Sequence, residues 1–322
     1  SQVVLDPEGD LYSGQSHTVG LSLSEQDYEA SFILTWDNPA AGLKLAVRTP
    51  SGLMLHPGNA YSFGGSVKVK TAPAYTLMTV KLPIATVAND DHAGRWEMVI
   101  TNPGQATVHY SASAISESTI RANLTPPSAI SGSGFIVGDP IPFRVSLTEL
   151  GGKPIFGAEV TVTPNIPLAS LGTVLSSVGI TQADLTAIPK DMYGEELSSN
   201  ERLYLALQKK LGVRDLLPRK NLAAFELKET EKEGFYIGEF SPTRVEGFYG
   251  FTIRIEGMTP ECQLFQRELY YSVVVAPDPE KKETKVRPEW DEGDDTRRSV
   301  IVTVTPVASG GYMLGPGYAS QV

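Results

Sequence analysis

The sequence predicts an all-β protein: tandem antiparallel β-sandwiches, the second carrying a small helical insertion. Three observations lead there. Short apolar runs alternate with a period of two along most of the chain, as strands do when one face meets a core and the other meets water. Proline (23) and glycine (30) are frequent and fall between those runs, which favours many short strands over long helices. The stretch Gly234–Gly257, GFYIGEFSPTRVEGFYGFTIRIEG, shows both features at once. It holds two strand-like runs around a Pro/Gly-containing turn and reads as an aromatic, glycine-rich hairpin feeding an alternating strand. In the second run Phe251, Ile253 and Ile255 point one way and Thr252, Arg254 and Glu256 the other.

At 322 residues the chain suits two domains, with part of a third. A hydrophobic fraction of 41% can build real cores, and a charged fraction of 20% argues against wholesale disorder. The net charge of −10 opposes binding to phosphate backbones, so nucleic acid is not expected as a partner. No apolar run reaches the roughly 18 residues a membrane helix needs. Ser1-Gln2 opens directly on strand-like sequence; if the protein is exported, this is expected to be a mature form or an excised fragment. Cys262 is the single cysteine, so no intrachain disulfide and no multi-cysteine metal site can form. It reads as a small, partly buried apolar residue.

Residues 1–116 read as the first sandwich. Alternating runs are centred on Leu21, Leu34, Leu45, Val80, Met98 and Tyr110, with Trp36 and Trp96 as large core anchors. Turn clusters such as Asp37-Asn38-Pro39 and Asn102-Pro103-Gly104 separate them. Residues 117–134 read as a linker around Pro126-Pro127 and Ser131-Gly132-Ser133-Gly134. Residues 135–276 read as the second sandwich. Phe143–Leu147 and Ala158–Val162 alternate, and Gly151-Gly152-Lys153-Pro154 is expected to join them as a hairpin. Residues 165–228 break the rhythm: Leu168–Val178 and Gln182–Ile188 are helix-compatible, and Ser198-Ser199-Asn200 caps an amphipathic helix over Glu201–Leu211. Residues 277–298 read as a charged linker. Residues 299–322 read as a strand or the start of a truncated further domain, with Val300–Val304 expected to dock or to pair with a partner by its edge.

The segment FILTWDNPAAGLKLAVRTPSG (Phe32–Gly52), with Gly94-Arg95-Trp96 downstream, resembles the β-sandwich that follows the von Willebrand factor A domain in bacterial surface proteins and in calcium-activated chloride channel regulator-like proteins. The same pattern is similar to proprotein convertase P domains, which are jelly-roll-like, and to pre-peptidase C-terminal domains. GKPIFGAEVTVTP (Gly152–Pro164) with the Gly234–Gly257 stretch resembles bacterial immunoglobulin-like or macroglobulin-type repeats. No A domain and no Asp-x-Ser-x-Ser motif occurs in the chain, so an A domain's ligand-binding role is not implied.

For chemistry, His17, His56, His92 and His109 show no HExxH spacing, and neither a G-x-S-x-G elbow nor a phosphate loop is present, so the chain reads as non-catalytic. Oxygen ligands cluster at Asp6, Glu8 and Asp10, at Asp90 and Asp91, and at Asp291, Glu292, Asp294 and Asp295. The plain reading is solvated charge; calcium is the alternative, with the last set as the site. Tyr61, Phe63, Phe235, Tyr236, Phe248 and Tyr249 could stack on sugars or simply pack. The function expected is that of a secreted or cell-surface bacterial module with a structural, adhesion or assembly role, meeting a protein partner through the Val300–Val304 edge or the helical insertion. The alternatives are an accessory, substrate-binding region of an exported hydrolase and a carbohydrate-binding module.

Overall fold

The computed structural model describes residues 2–87, 92–126, 134–190, 197, 199–211, 218–278, 285–291, 299–305, 307–308 and 311–314. The first sandwich contains β1 (Gln2–Leu5), β2 (Glu8–Leu11), β3 (Ser16–Leu23), β4 (Asp27–Trp36), β5 (Lys44–Arg48), β6 (Met54–Leu55), β7 (Val67–Ala72), β8 (Tyr75–Lys81), β9 (Gly94–Thr101) and β10 (Val108–Ser118). One sheet orders β1-β10-β4-β8-β7 and the facing sheet β3-β9-β5-β6, with antiparallel pairing throughout. All six alternating runs read from the sequence turn their apolar side inward. Leu21, Leu45 and Met98 from one sheet meet Phe32, Leu34 and Val80 from the other. Trp96 is fully buried and stacks on Phe32 with ring centroids 5.9 Å apart, so it anchors the core as expected.

The second sandwich contains β11 (Arg121–Thr125), β12 (Phe135–Ile136), β13 (Ile141–Thr148), β14 (Glu159–Pro167), β15 (Arg219–Asn221), β16 (Phe225–Glu226), β17 (Lys228–Glu229), β18 (Phe235–Phe240), β19 (Gly247–Met258) and β20 (Leu264–Ala276). Here β15-β14-β19-β20 faces β11-β13-β18-β17. Phe251, Ile253 and Ile255 are buried as their alternation predicts, and Phe143, Phe240 and Phe251 pack edge to face in the core. Between β14 and β15 lie the helices α1 (Leu171–Val178), α2 (Gln182–Thr186) and α3 (Ser199–Leu211). They match the helix-compatible stretches of the insertion, and Leu207 of α3 packs with Val174 of α1 in a small core of their own.

Four expectations about connections need correction. Gly151-Gly152-Lys153-Pro154 does make a tight turn, but β13 and β14 do not pair: they lie in opposite sheets. β18 and β19 likewise form no hairpin. The chain between them crosses from one sheet to the other, and the buried Tyr249 hydroxyl donates to Val245 O at 2.7 Å to tie the corner. Alternation reports which face of a strand is buried and is blind to which strand it pairs with. The stretch read as a linker at 117–134 contains the end of β10 and all of β11, which pairs with β13; residues 127–133 lie outside the described residues. The charged stretch at 277–298 contains β21 (Lys285–Asp291), which pairs with β22 (Ser299–Thr305). Val300–Val304 therefore pairs within its own chain.

The tail beyond β22 docks on the insertion. Ser170, the N-cap of α1, donates its hydroxyl to Met313 O at 2.6 Å, and Leu314 is buried. Gly172 lies so close to the backbone of Met313 and Leu314 that no Cβ fits there.

Candidate functional site

The two sandwiches are joined edge to edge. β1 pairs with β10 on one side and meets β20 on the other, Val3 opposite Glu268. One sheet thus runs β15-β14-β19-β20-β1-β10-β4-β8-β7 through both cores. Two local features of the sequence build the seam.

The first is a register slip in β4. Along Ala30–Trp36 the even-numbered residues face the core. Towards the start of the strand Glu117 opposes Glu29, but Ser118 opposes Asp27, so one residue of β4 is extra. A bulge reverses side-chain parity, and Asp27 turns inward and is fully buried. The second is the length of β20. Phe265 and Arg267 share parity with Leu269 and Val275, so the strand carries an arginine on its apolar face.

Arg267 and Asp27 meet there, both side chains without solvent exposure, with Nη2 2.7 Å from Oδ1. Nη2 also donates to Ser118 Oγ at 2.8 Å and Nη1 to Gln266 O at 2.6 Å, while Nε has no partner among the described residues. The other Asp27 oxygen accepts from the backbone N–H and the hydroxyl of Ser24. Burial pushes the Arg267 guanidinium pKa down, and the carboxylate beside it opposes that push. Such a pair costs desolvation energy and is sustained by these hydrogen bonds.

On the opposite face of β20, Glu268 accepts from Tyr270 Oη at 2.6 Å and pairs with Arg254 at 3.2 Å. Burial, then the hydrogen bond and charge of Glu268, drive the Tyr270 phenol pKa upward. The tip of the β19–β20 hairpin reaches the first sandwich: Gln263 Oε1 accepts from the Glu25 N–H at 2.7 Å. Cys262 sits at this tip. It is exposed, which corrects the part-buried reading, and its φ of 61° lies in the left-handed region because it closes the turn Thr259–Gln263. Beside the seam runs a groove of about 430 Å³ between β3 and the β19–β20 hairpin, with Arg95 and Arg254 on its walls.

The seam was missed in the sequence, although one signal was available: continuing the parity of Leu269, Tyr271 and Val273 backwards places Arg267 in the core.

Of the calcium set, Asp291 ends β21, and Glu292, Asp294 and Asp295 lie outside the described residues. Among the described residues no three His, Cys, Asp or Glu side chains gather as a metal site. Asp10 instead pairs with His109 at 2.8 Å, and Asp6 accepts from Ser113 Oγ; Asp90 and Asp91 lie outside the described residues. The aromatic set does not form one platform. Phe63, Tyr236 and Tyr249 are buried, while Tyr61 and Phe248 are exposed on different sandwiches. His17 contacts the Tyr110 hydroxyl, and the Trp96 indole donates to His92 O.

No protein-family model and no curated protein matches the chain. Among solved structures, it is similar to a Bacillus licheniformis lipase in propeptide form, with 10% identity and a TM-score of 0.40, covering 85% of this chain and 42% of that one. It is also similar to a DUF4785-family protein from Legionella pneumophila, with 10% identity and a TM-score of 0.41, covering 95% and 72%. Salmonella alpha-2-macroglobulin aligns at 10% identity with a TM-score of 0.28, covering 96% and 21%. The chain thus spans less than half of the lipase and about a fifth of the macroglobulin.

Proposed function

We propose that the chain is a non-catalytic, exported bacterial surface module that acts as a structural, adhesion or assembly part through protein contacts. The observation that supports this reading is the seam. A sheet continuous through both sandwiches, closed by the buried Arg267–Asp27 pair, resists the hinge motion that ordinary interdomain contacts permit. A spacer needs this property, because rigidity sets the reach between its two ends. The single cysteine fits many bacterial exported proteins and the cytosol equally, and it fits a disulfide-rich ectodomain badly.

The test is backbone ¹⁵N relaxation on the whole chain. A rigid module gives one rotational correlation time for amides of both sandwiches; two distinct times would overturn the reading. Export is tested separately by locating the full-length protein in the producing cell, where recovery from the cytosol alone would overturn that half.

A further inference from the structure

β3 is the outer strand of its sheet: β9 lies on one side, and among the described residues no strand pairs with the other. Its eight residues, SHTVGLSL, hold no acid, lysine, arginine or proline, whereas the outer strand β7 carries Lys68 and Lys70. An open edge without such residues is a template for another strand. The direction of its backbone groups follows from the register. The Asn102 N–H donates to Gln15 O and Asn102 O accepts from the Gly14 N–H, both at 2.9 Å, so the even-numbered residues of β9 bond towards β3. Opposite them stand His17, Val19 and Leu21. The N–H and C=O groups of Thr18, Gly20 and Ser22 therefore point away from β9. Ser24 continues this direction, its N–H donating to Asp27 at the seam.

This edge opens on the groove of about 430 Å³ beside the seam. The consecutive residues Val19, Gly20, Leu21 and Ser22 form one wall, and Leu264–Gln266 with Arg254 and Glu256 form the other. Gly20 and Ser22 are half-buried, and Leu264 is exposed. Arg95 folds over Gly20, where a Cβ would fall 2.5 Å from its Nη2. The Arg95 side chain is 75% exposed, and Glu97 holds it only at 3.9 Å while binding Arg48 at 2.8 Å. Arg254 is committed to Glu268.

We propose that β3 takes an extended peptide segment of a partner protein as an added antiparallel strand, with a carboxylate beside Gly20 where Arg95 reaches it. Amides and carbonyls alternating at strand spacing are matched by extended backbone. A peptide residue opposite Gly20 turns its side chain to the outer face, towards Arg95, and its two neighbours turn theirs inward beside Val19 and Leu21. The proposal rests on the protein-contact reading for its partner, but the relaxation and export tests of that reading do not depend on this edge.

The test uses the full chain and the probe acetyl-Thr-Val-Glu-Val-Thr-amide, with backbone amides followed in ¹H–¹⁵N spectra. The amides of Gly20 and Ser22 are expected to exchange quickly in the free chain, to shift saturably with peptide, and to exchange at least roughly tenfold more slowly at saturation. The same peptide methylated on the glutamate nitrogen cannot donate to Gly20 O and is expected to bind at least roughly tenfold more weakly. A peptide with lysine in place of glutamate is expected to lose a similar factor, and Arg95→Gln to abolish that preference. Ser22→Pro removes an edge donor and leaves the β3–β9 ladder intact, and it is expected to weaken the probe. No saturable shift at Gly20 and Ser22, equal binding of the methylated peptide, or an unchanged preference in Arg95→Gln would overturn the proposal. Concentration-dependent shifts of the same amides without peptide would seat a second copy on the edge and overturn it as well.

Discussion

Asp27→Asn tests the seam most directly. The Asp27 carboxylate accepts from Arg267 Nη2 through one oxygen and from the Ser24 N–H through the other. An asparagine has one oxygen and one NH2 in the same places. If the NH2 faces Arg267, two donors meet and the guanidinium is buried without its counter-charge. If it faces Ser24, a buried N–H loses its acceptor and the remaining contact to Arg267 is to a neutral group. Removing one partner of a buried pair costs about 3–5 kcal/mol. At about 2–4 °C per kcal/mol this lowers Tm by roughly 6–20 °C. Arg267→Met alone strands Asp27 and is expected to cost a similar amount. The pair Asp27→Leu with Arg267→Met replaces both charges by apolar groups of similar reach and is expected to cost less than either single change. The assay is urea unfolding followed by tryptophan fluorescence, with both core indoles, Trp36 and Trp96, in the first sandwich. A loss below about 1 kcal/mol for Asp27→Asn, or a double variant whose loss equals the sum of Asp27→Leu and Arg267→Met measured singly, would refute the reasoning.

Three further outcomes are expected. Gly172→Val places a side chain where the backbone of Met313 and Leu314 runs; amide exchange at Ala308, which donates to Tyr312 O, should rise, and unchanged exchange would mean the tail is not held by α1. Cys262→Val puts a β-branched residue at φ 61° and should destabilise by about 1–2 kcal/mol, while the exposed thiol of the parent should react with a thiol reagent in the folded state; a thiol protected until unfolding would contradict that placement. The backbone N–H of Thr181, then its hydroxyl and Lys210, hold the Asp184 carboxyl down at about 2 against an ordinary 3.8. The folded value is the lower one, so the capping box at the start of α2 contributes fully above 3.8 and is lost as pH falls towards 2. The helical chemical shifts of Gln182–Thr186 should fade over that window, and their persistence below it would argue against the cap.

The strands were legible because their signal is local. Leu21, Phe32, Met98 and Ile253 each belong to a run of period two, and a strand with one buried face cannot avoid writing that period into its sequence. The helices of the insertion were legible for the same reason, since Leu207 and its neighbours repeat at helical spacing ahead of a glycine. Pairing was not: β13 with β18 and β14 with β19 are choices between equally amphipathic partners, and tertiary packing made them. Val300–Val304 reads as an open edge because its partner lies in a charged stretch that alternation does not mark.

The junction shows the division most clearly. By itself the sequence determined that two β cores exist, that Trp96 belongs inside one and Phe251 inside the other, and that the surface is acidic. Only the tertiary structure decided that Asp27, through a one-residue slip in β4, meets Arg267 at the other end of the chain. A bulge changes which face a residue occupies without changing its composition, and a buried ion pair is defined by proximity in space that no local period encodes.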